Sequence, residues 1–364
     1  MMTRRKVLLG TGAVLLTATG LGFGFGNMGS MADYNKAMAD LRAAAQQAPN
    51  VLDMIRLATL AASSHNTQPW AFKMSKTAIE ILPDLTRKLT AVDPDNHHLF
   101  ASLGCAATNL ALAGEASGKS GDLSFNPTDD GSLVFTFRDA LPNPTPLSQA
   151  MTKRQSTRTE YSGMPVSTTD LKHLADAAAL PGVATLLITE RSEIDKIRDL
   201  VIASNTVQMN DPAFVDELKA WIRYNPRSAL LTGDGLFSAT TGNPTMPDWL
   251  GPVLFRLAFQ AKSENDKYAR QINSSAGIAV FASENNDPEH WTLAGRASQL
   301  FALQATALGL KHAFINQPAE VTSFRPELAK MIGLPDRRPD LVMRFGYGPD
   351  MPYSPRRPLA KLMA

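Results

Sequence analysis

Ala62-Ser63-Ser64-His65-Asn66-Thr67-Gln68-Pro69-Trp70-Ala71-Phe72 joins a helical pattern to a strand pattern through small hydroxyls, two amides, a proline and a tryptophan. An amphipathic helical run, Val51 to Ala62, leads into it, and an alternating run, Ala71 to Pro83, leaves it as a strand. Pro69 has no N–H and fixes its own φ, so it stops the helix and stiffens the turn. Asn66 and Gln68 each carry a donor and an acceptor, which suits them to the polar edge of a flat heterocycle. On composition alone the run is equally an ordinary helix-to-strand turn. Residue order separates the two readings.

The order Ser63-Ser64-x-Asn66-x-Gln68-Pro69-Trp70-x-Phe72 resembles the signature of the nitroreductase family, the FMN-dependent oxidoreductases. The resemblance implies that the elbow lies against or near the isoalloxazine ring at a dimer interface. A second motif follows the proline-rich connector Leu141-Pro142-Asn143-Pro144-Thr145-Pro146, the natural boundary between halves. A helix is expected directly after it, containing Lys153 to Tyr161. There Arg154, Ser156 and Arg158 set two guanidiniums, which take phosphate oxygens in bidentate fashion, around a hydroxyl donor. A short basic run is also the mark of a solvated face. The order Arg-x-Ser-x-Arg, however, resembles the second nitroreductase signature, which implies a grip on the FMN phosphate and ribityl chain. The strand Leu341 to Phe345, the turn Gly346-Tyr347-Gly348-Pro349 and the basic pair Arg356-Arg357 resemble that family's C-terminus, where a basic residue closes over the phosphate.

Two long helices are expected, His97 to Gly118 and His290 to Leu310, each with a glycine at its stop. Gly104–Gly118 aligns without gaps to Gly295–Gly309, with identities at six of fifteen positions. The first half holds the elbow without Arg-x-Ser-x-Arg, and the second holds the reverse. This points to a fused, diverged pseudo-dimer with one surviving site, similar to the Acg-type branch of the nitroreductase superfamily. The expected fold is α+β and nitroreductase-like: two tandem halves, 33–142 and 143–364, of mixed or antiparallel sheets flanked by helices, monomeric as a chain. Asn66 and Arg158 are then expected to line one cavity.

The 364 residues are 44% hydrophobic, enough for one large domain or two. A net charge of +2 points to no nucleic-acid partner. The single cysteine, Cys105, excludes an internal disulfide and a cysteine-rich metal site, and in its run of small residues it reads as buried and apolar. Thr3-Arg4-Arg5-Lys6 followed by an apolar stretch to about Phe25, then Ser30-Met31-Ala32, reads as a signal peptide over residues 1–32. Its paired arginines resemble the twin-arginine export signal, with Val7 and Leu9 departing from that pattern. The expectation is an exported, periplasmic or otherwise extracytoplasmic protein, anchored if the signal is retained.

Residues 225–251, rich in Gly, Pro, Thr and Ser, are expected to form a lid with Trp249, Leu250 and Phe255 as apolar anchors. The resemblance implies a ping-pong cycle on FMN that reduces a nitroaromatic, quinone or similar small acceptor. It also implies Arg158 as the cation beside the ring's N1 and O2. The electron donor stays open, because NAD(P)H is scarce outside the cytoplasm. His65 stands as a general acid or a polar turn residue. Adjacent His97 and His98 point apart on a helix with no acidic partner a turn away, so no metal is expected. The alternatives are a protein that sequesters FMN without turnover, or an oxygen-dependent flavin enzyme. No Gly-x-Gly-x-x-Gly before a helix, Walker loop, Gly-x-Ser-x-Gly elbow or zinc helix motif is present.

Overall fold

The computed structural model describes residues 27–44 and 50–364. Most of the export-signal reading therefore lies outside the described residues; the chain enters helix α1 at Met31–Ala44. Helix α2 (Val51–Thr59) starts on a reciprocal cap, in which Asn50 accepts the N–H of Asp53 and Asp53 that of Asn50. The run expected as one strand is a hairpin, β1 (Trp70–Met74) and β2 (Ala78–Pro83), because Ser75 Oγ accepts the N–H of Ala78 and turns the chain. Helix α3 (His97–Ala116) leads to β3 (Lys119–Asn126) and β4 (Ser132–Asp139), a hairpin whose turn carries Asp129 and Gly131 at positive φ.

The second half holds α4 (Pro146–Ala150), α5 (Thr168–Ala178), β5 (Val183–Ile188), α6 (Arg191–Met209) and α7 (Pro212–Trp221). Then come β6 (Ile222–Arg223), α8 (Pro226–Thr232), β7 (Leu236–Phe237), α9 (Gly251–Ala258), α10 (Ala261–Asn273) and β8 (Gly277–Ser283). It finishes with α11 (Pro288–Ala307), β9 (Lys311–Phe314), α12 (Gln317–Glu320), α13 (Arg325–Met331) and β10 (Pro339–Gly346). β8 and β10 are buried at every position, since α5 and α11 cover one face of their sheet and α6, α10 and α13 the other. That double cover is why β8 reads as a near-continuous apolar run rather than an alternating one, while in β10 the buried Asp340 and Arg344 interrupt the run and are held by hydrogen bonds.

The fold is α+β, with two four-stranded antiparallel sheets flanked by helices. The sheets share one plan. Their orders are β1-β2-β4-β3 and β5-β8-β10-β9, and in each the long helix, α3 or α11, lies between the second and third strands in sequence. The two helices meet at reciprocal positions. A Cβ on Gly104 would sit 2.0 Å from Thr292 O, and one on Gly295 2.0 Å from Ala101 O. Each helix thus meets the other's glycine three residues before its own, the i-to-j, j-to-i contact of a two-fold interface. The C-terminus returns to the first sheet, where Phe72 N–H donates to Leu362 O and Ala364 N–H to Phe72 O.

Two local expectations are corrected. The helix after the connector ends at Ala150, and Ser156 lies in extended chain bridged to His312, with Thr157 N–H donating to His312 O at 2.8 Å. Extended chain puts alternate residues on one side, so Arg154, Ser156 and Arg158 point together, where a helix would have fanned them apart. Residues 225–251 hold α8, β7 and a 3-10 turn rather than open loop, and Trp249 is 56% exposed and so is no anchor.

Candidate functional site

The elbow is held by the other half. Arg356 donates to the last acceptors of α2, the carbonyls of Thr59, Leu60 and Ala61, at 2.6, 2.9 and 3.2 Å. A cation there caps the helix and meets the negative end of its dipole. Arg356 also donates to Asn66 Oδ1 at 3.1 Å, while Asn66 Nδ2 donates to Gly235 O and Pro355 O. Gln68, fully buried, donates to Gly233 O at 2.8 Å and accepts the N–H of Arg357 at 2.9 Å. Both amides tie the elbow to 233–235 and 354–357; this corrects the expectation that Gln68 faces a ligand, while Asn66 still borders the cavity described next. Arg357 donates to Gln68 O and pairs with Asp84, and the structure sets Gln68 and Arg357 away from both cavities described next. His65, Asn66 and Gln68 all sit in left-handed backbone, φ 47, 53 and 52°. Such residues cost about 1 kcal/mol each or more, and the clamps hold them there.

Within the clamp lies a small cavity of about 40 Å³, bordered by Arg42, Arg154, Arg158 and Arg356 together with Ser63, Asn66 and Ser156. Asn66 and Arg158 therefore do line one cavity. No Asp or Glu borders it among the described residues. Arg154 donates once, to Leu60 O at 3.0 Å; its Nε and Nη1 are buried without a partner. Arg42 donates to Met38 O and stacks on Tyr353, and its Nε is likewise unpartnered. Burial, above all, brings both guanidiniums down to pKa values of about 10. Buried, unpartnered guanidinium donors around a space free of carboxylates are the donor set for an anion such as phosphate. Arg42 was not legible as a site residue. Its one signal is that it continues the buried stripe Tyr34, Met38, Arg42 along α1, where a third apolar residue would be expected.

Ala62, Ser63, Arg158, Leu236 and Phe314 also border a second cavity of about 570 Å³. Its walls combine the elbow hydroxyls Ser63 and Ser64, polar groups of α3, α10 and α12, and apolar residues such as Phe214, Met246 and Phe255. Phe255 is thus the lid anchor that does face the site. No side-chain hydrogen bond or ion pair holds the Arg158 guanidinium among the described residues, so it is free to serve either cavity.

His65 lines the large cavity and is held down to a pKa of about 4 by burial, then by Arg158 and His98. It is a neutral donor and acceptor at physiological pH, not an acid. Asp93 is the acidic neighbour missed near His97 and His98, since it precedes the helix; the three present ligand atoms within 4.8 Å of one another. Both Asp93 oxygens already accept N–H groups, from His98 and Leu99, and His97 Nε2 is given to Asp340 at 2.7 Å. These contacts pin the first turn of α3.

His312 lies behind the arginine cluster, pushed down to about 3 by burial, then by Arg154 and Arg344. The unfolded chain takes up this proton near the ordinary histidine value, and the folded chain only near the depressed one. The associated stability is therefore fully present above about pH 6.5 and is lost as pH falls, at up to about 1.4 kcal/mol per pH unit. His312→Gln is expected to make the fall in urea midpoint between pH 6.5 and 4 shallower by about one proton. An unchanged slope would show that His312 is not its source.

No protein-family model matches this chain. It is similar to two Mycobacterium tuberculosis proteins. "Putative NAD(P)H nitroreductase Rv3131" is 25% identical over 329 residues, 87% of this chain and 91% of that protein. "Putative NAD(P)H nitroreductase acg" is 22% identical over 320 residues, 84% and 92%. Among solved structures, the FMN-dependent nitroreductase NfnB from Mycobacterium smegmatis in complex with NADPH aligns at TM-score 0.40 and 12% identity, over 59% of this chain and 96% of that one. A nitroreductase with bound FMN from Desulfitobacterium hafniense aligns at TM-score 0.37 and 14% identity, over 59% and 95%. In sequence, then, the chain is similar over most of its length to proteins named as NAD(P)H nitroreductases.

Proposed function

We propose that this chain binds one FMN and works as a nitroreductase-like oxidoreductase, with NAD(P)H as donor and a nitroaromatic, quinone or similar small molecule as acceptor. One observation carries the reading: unpartnered guanidinium donors in a carboxylate-free cavity that adjoins a much larger, partly apolar one at the elbow. Arg42, Arg154 and Ser156 would hold the phosphate, and Ser63, Ser64 and Arg158 the ring side. FMN, when bound, supplies two-electron transfer between donor and acceptor. Arg356 positions rather than binds, because its N–H groups are committed to the carbonyls that end α2 and to the elbow. Arg158, the cation common to both cavities, is placed to stabilise negative charge at the ring's edge. The apolar wall excludes water from the acceptor and leaves room for a flat ring.

The shared sheet plan and the reciprocal glycine contact support a tandem, diverged pair of nitroreductase-like halves that builds one site within a monomer. Export of the folded chain by the twin-arginine route stays part of the proposal, on the pattern of residues 1–32.

The test is anaerobic. The purified chain is expected to take up one FMN and turn yellow. NADPH or NADH should bleach it, and a nitroaromatic or quinone should restore the colour. A chain that binds no FMN overturns the reading of both cavities. Bound FMN that dithionite reduces and nicotinamides do not would shift the function to flavin storage or another donor.

A further inference from the structure

His98 and Glu320 face each other in the wall of the large cavity, Nδ1 to Oε1 at 3.9 Å. His98 stands in the first turn of α3, and Glu320 ends α12. The other ring nitrogen of His98 fixes its tautomer. Nε2 lies 3.3 Å from Asp340 O, a backbone carbonyl that can only accept. Nε2 therefore carries a hydrogen, and in a neutral ring Nδ1 is a bare lone pair. Glu320 Oε2 accepts from Gln208 at 2.7 Å, which leaves Oε1 toward the ring. His98 Nδ1 is buried with no hydrogen-bond partner. A carboxylate opposed to a lone pair in a buried site is repulsive, and one proton on either group removes the repulsion.

We propose that the His98–Glu320 pair carries one proton, on Glu320 Oε1 or on His98 Nδ1, and is the proton donor of the large cavity, serving the reduction proposed above. The surroundings favour keeping that proton. Burial raises the pKa of Glu320 and outweighs the lowering by His98, the Gln208 hydrogen bond and Arg325, while Asp93 adds to the rise. The groups that face the pair are Asp93, Asp340, His65 and His97 around His98, and Tyr268, Arg325 and Asp93 around Glu320. Arg325 is the one cation among them, and its donors go to Ala319 O and to Glu320's own backbone carbonyl.

In the step, a quinone acceptor gains a hydride and a proton and becomes the hydroquinone. The hydride originates in the dihydronicotinamide donor, which is oxidised to the nicotinamide. The proton comes from the pair: an O–H bond forms on the acceptor's oxygen as the Glu320 O–H or His98 Nδ1–H bond breaks. Solvent entering the cavity after product leaves restores it.

Glu320→Gln tests this in the full chain. Glutamine keeps an acceptor for Gln208 and offers an N–H to His98 Nδ1, so the fold has no unmade bond to answer for. The first readout needs no cofactor. Infrared difference spectra at neutral pH should show a protonated-carboxyl C=O stretch in the wild type that Glu320→Gln lacks, or NMR should show an imidazolium at His98. Wild type with neither overturns the shared proton. The second readout is stopped-flow on the FMN-loaded chain with benzoquinone. Reoxidation in Glu320→Gln is expected to slow by about a hundredfold and to lose its pH dependence, while reduction by NADPH keeps its rate. A purely structural role would slow both steps together, and unchanged reoxidation overturns the proposal while FMN binding stands. A chain that takes up no FMN removes the delivery step, and the infrared band then decides separately whether the pair holds its proton.

Discussion

Arg154→Met is expected to melt at a higher temperature than the wild type without FMN, and to bind FMN about a hundredfold or more weakly. The two signs have one cause. Arg154 is buried among Arg42, Arg158 and Arg356 with two donor atoms unpartnered and no carboxylate beside it. Without an anion that charge is uncompensated and its desolvation is unrepaid; even buried ion pairs are replaced by apolar side chains of similar volume with gains of up to about 4 kcal/mol when packing is kept. Methionine adapts its shape to such a space. The one bond lost is covered, since Leu60 O also accepts from Arg356 at 2.9 Å. With FMN the account reverses, because losing one partner of a buried, hydrogen-bonded charge pair costs about 2–5 kcal/mol, some 30- to several-thousandfold in affinity. Thermal melts and flavin fluorescence titrations check both signs. Arg356→Met is the contrast: it uncaps α2 and frees Asn66, so it should lower the melting temperature in either state. An Arg154→Met chain that melts lower and binds FMN normally would make Arg154 a structural clamp as well.

Much of the frame was legible because its signals are local. The glycine stops of α3 and α11, the turn at Asp129-Asp130-Gly131 and the elbow's Pro69 act within a few residues of themselves. Roles that depend on distant partners were not. Gln68 reads as ligand-facing because the Gly233 carbonyl that takes its amide comes from the other half, as do the Gly235 and Pro355 carbonyls that fix Asn66 at the cavity edge. The Arg-x-Ser-x-Arg segment reads as helical because Pro146 starts a helix correctly; that the helix stops at Ala150 and Ser156 bridges to His312 is announced by no local pattern. Helices α7 and α8 were readable and missed. Each has a side-chain cap followed by proline, Asp211-Pro212 and Asn225-Pro226, a start signal obscured by the turn-rich composition downstream. His98 and Glu320 are juxtaposed only by the contact of the halves, so their pairing lay beyond any sequence window.

Gly295→Ala is expected to be among the most damaging single methyl additions at the described glycines. Its Cβ would stand 2.0 Å from Ala101 O, against a contact limit near 3.0 Å, and the obstacle is helix backbone, which cannot rotate aside. Both helices are buried along most of their length, so relief requires α3 and α11 to move apart and open the cores on either side. Ordinary overpacking costs about 1–3 kcal/mol; separating two helices at their crossing should exceed about 4 kcal/mol, the range of rare and diagnostic losses. Gly104→Ala should cost nearly as much, through Thr292 O at 2.0 Å. The double variant should cost less than the sum, because either methyl alone already breaks the same contact. Gly309→Ala is the control. It has open space around it and a φ of 75°, so it should lose only the left-handed preference, about 1 kcal/mol. Urea titrations of the four chains decide the matter, and a Gly295→Ala no worse than Gly309→Ala would overturn the close crossing. The site would register the same motion: Cys105 Sγ donates to Gly295 O at 3.2 Å, and Cys105, Ser102 and His98 on α3 all face the large cavity. A variant that folds with its helices spread should therefore lose FMN affinity through that wall while its arginine cluster stays intact, which ties the crossing of the two halves to the one site they build.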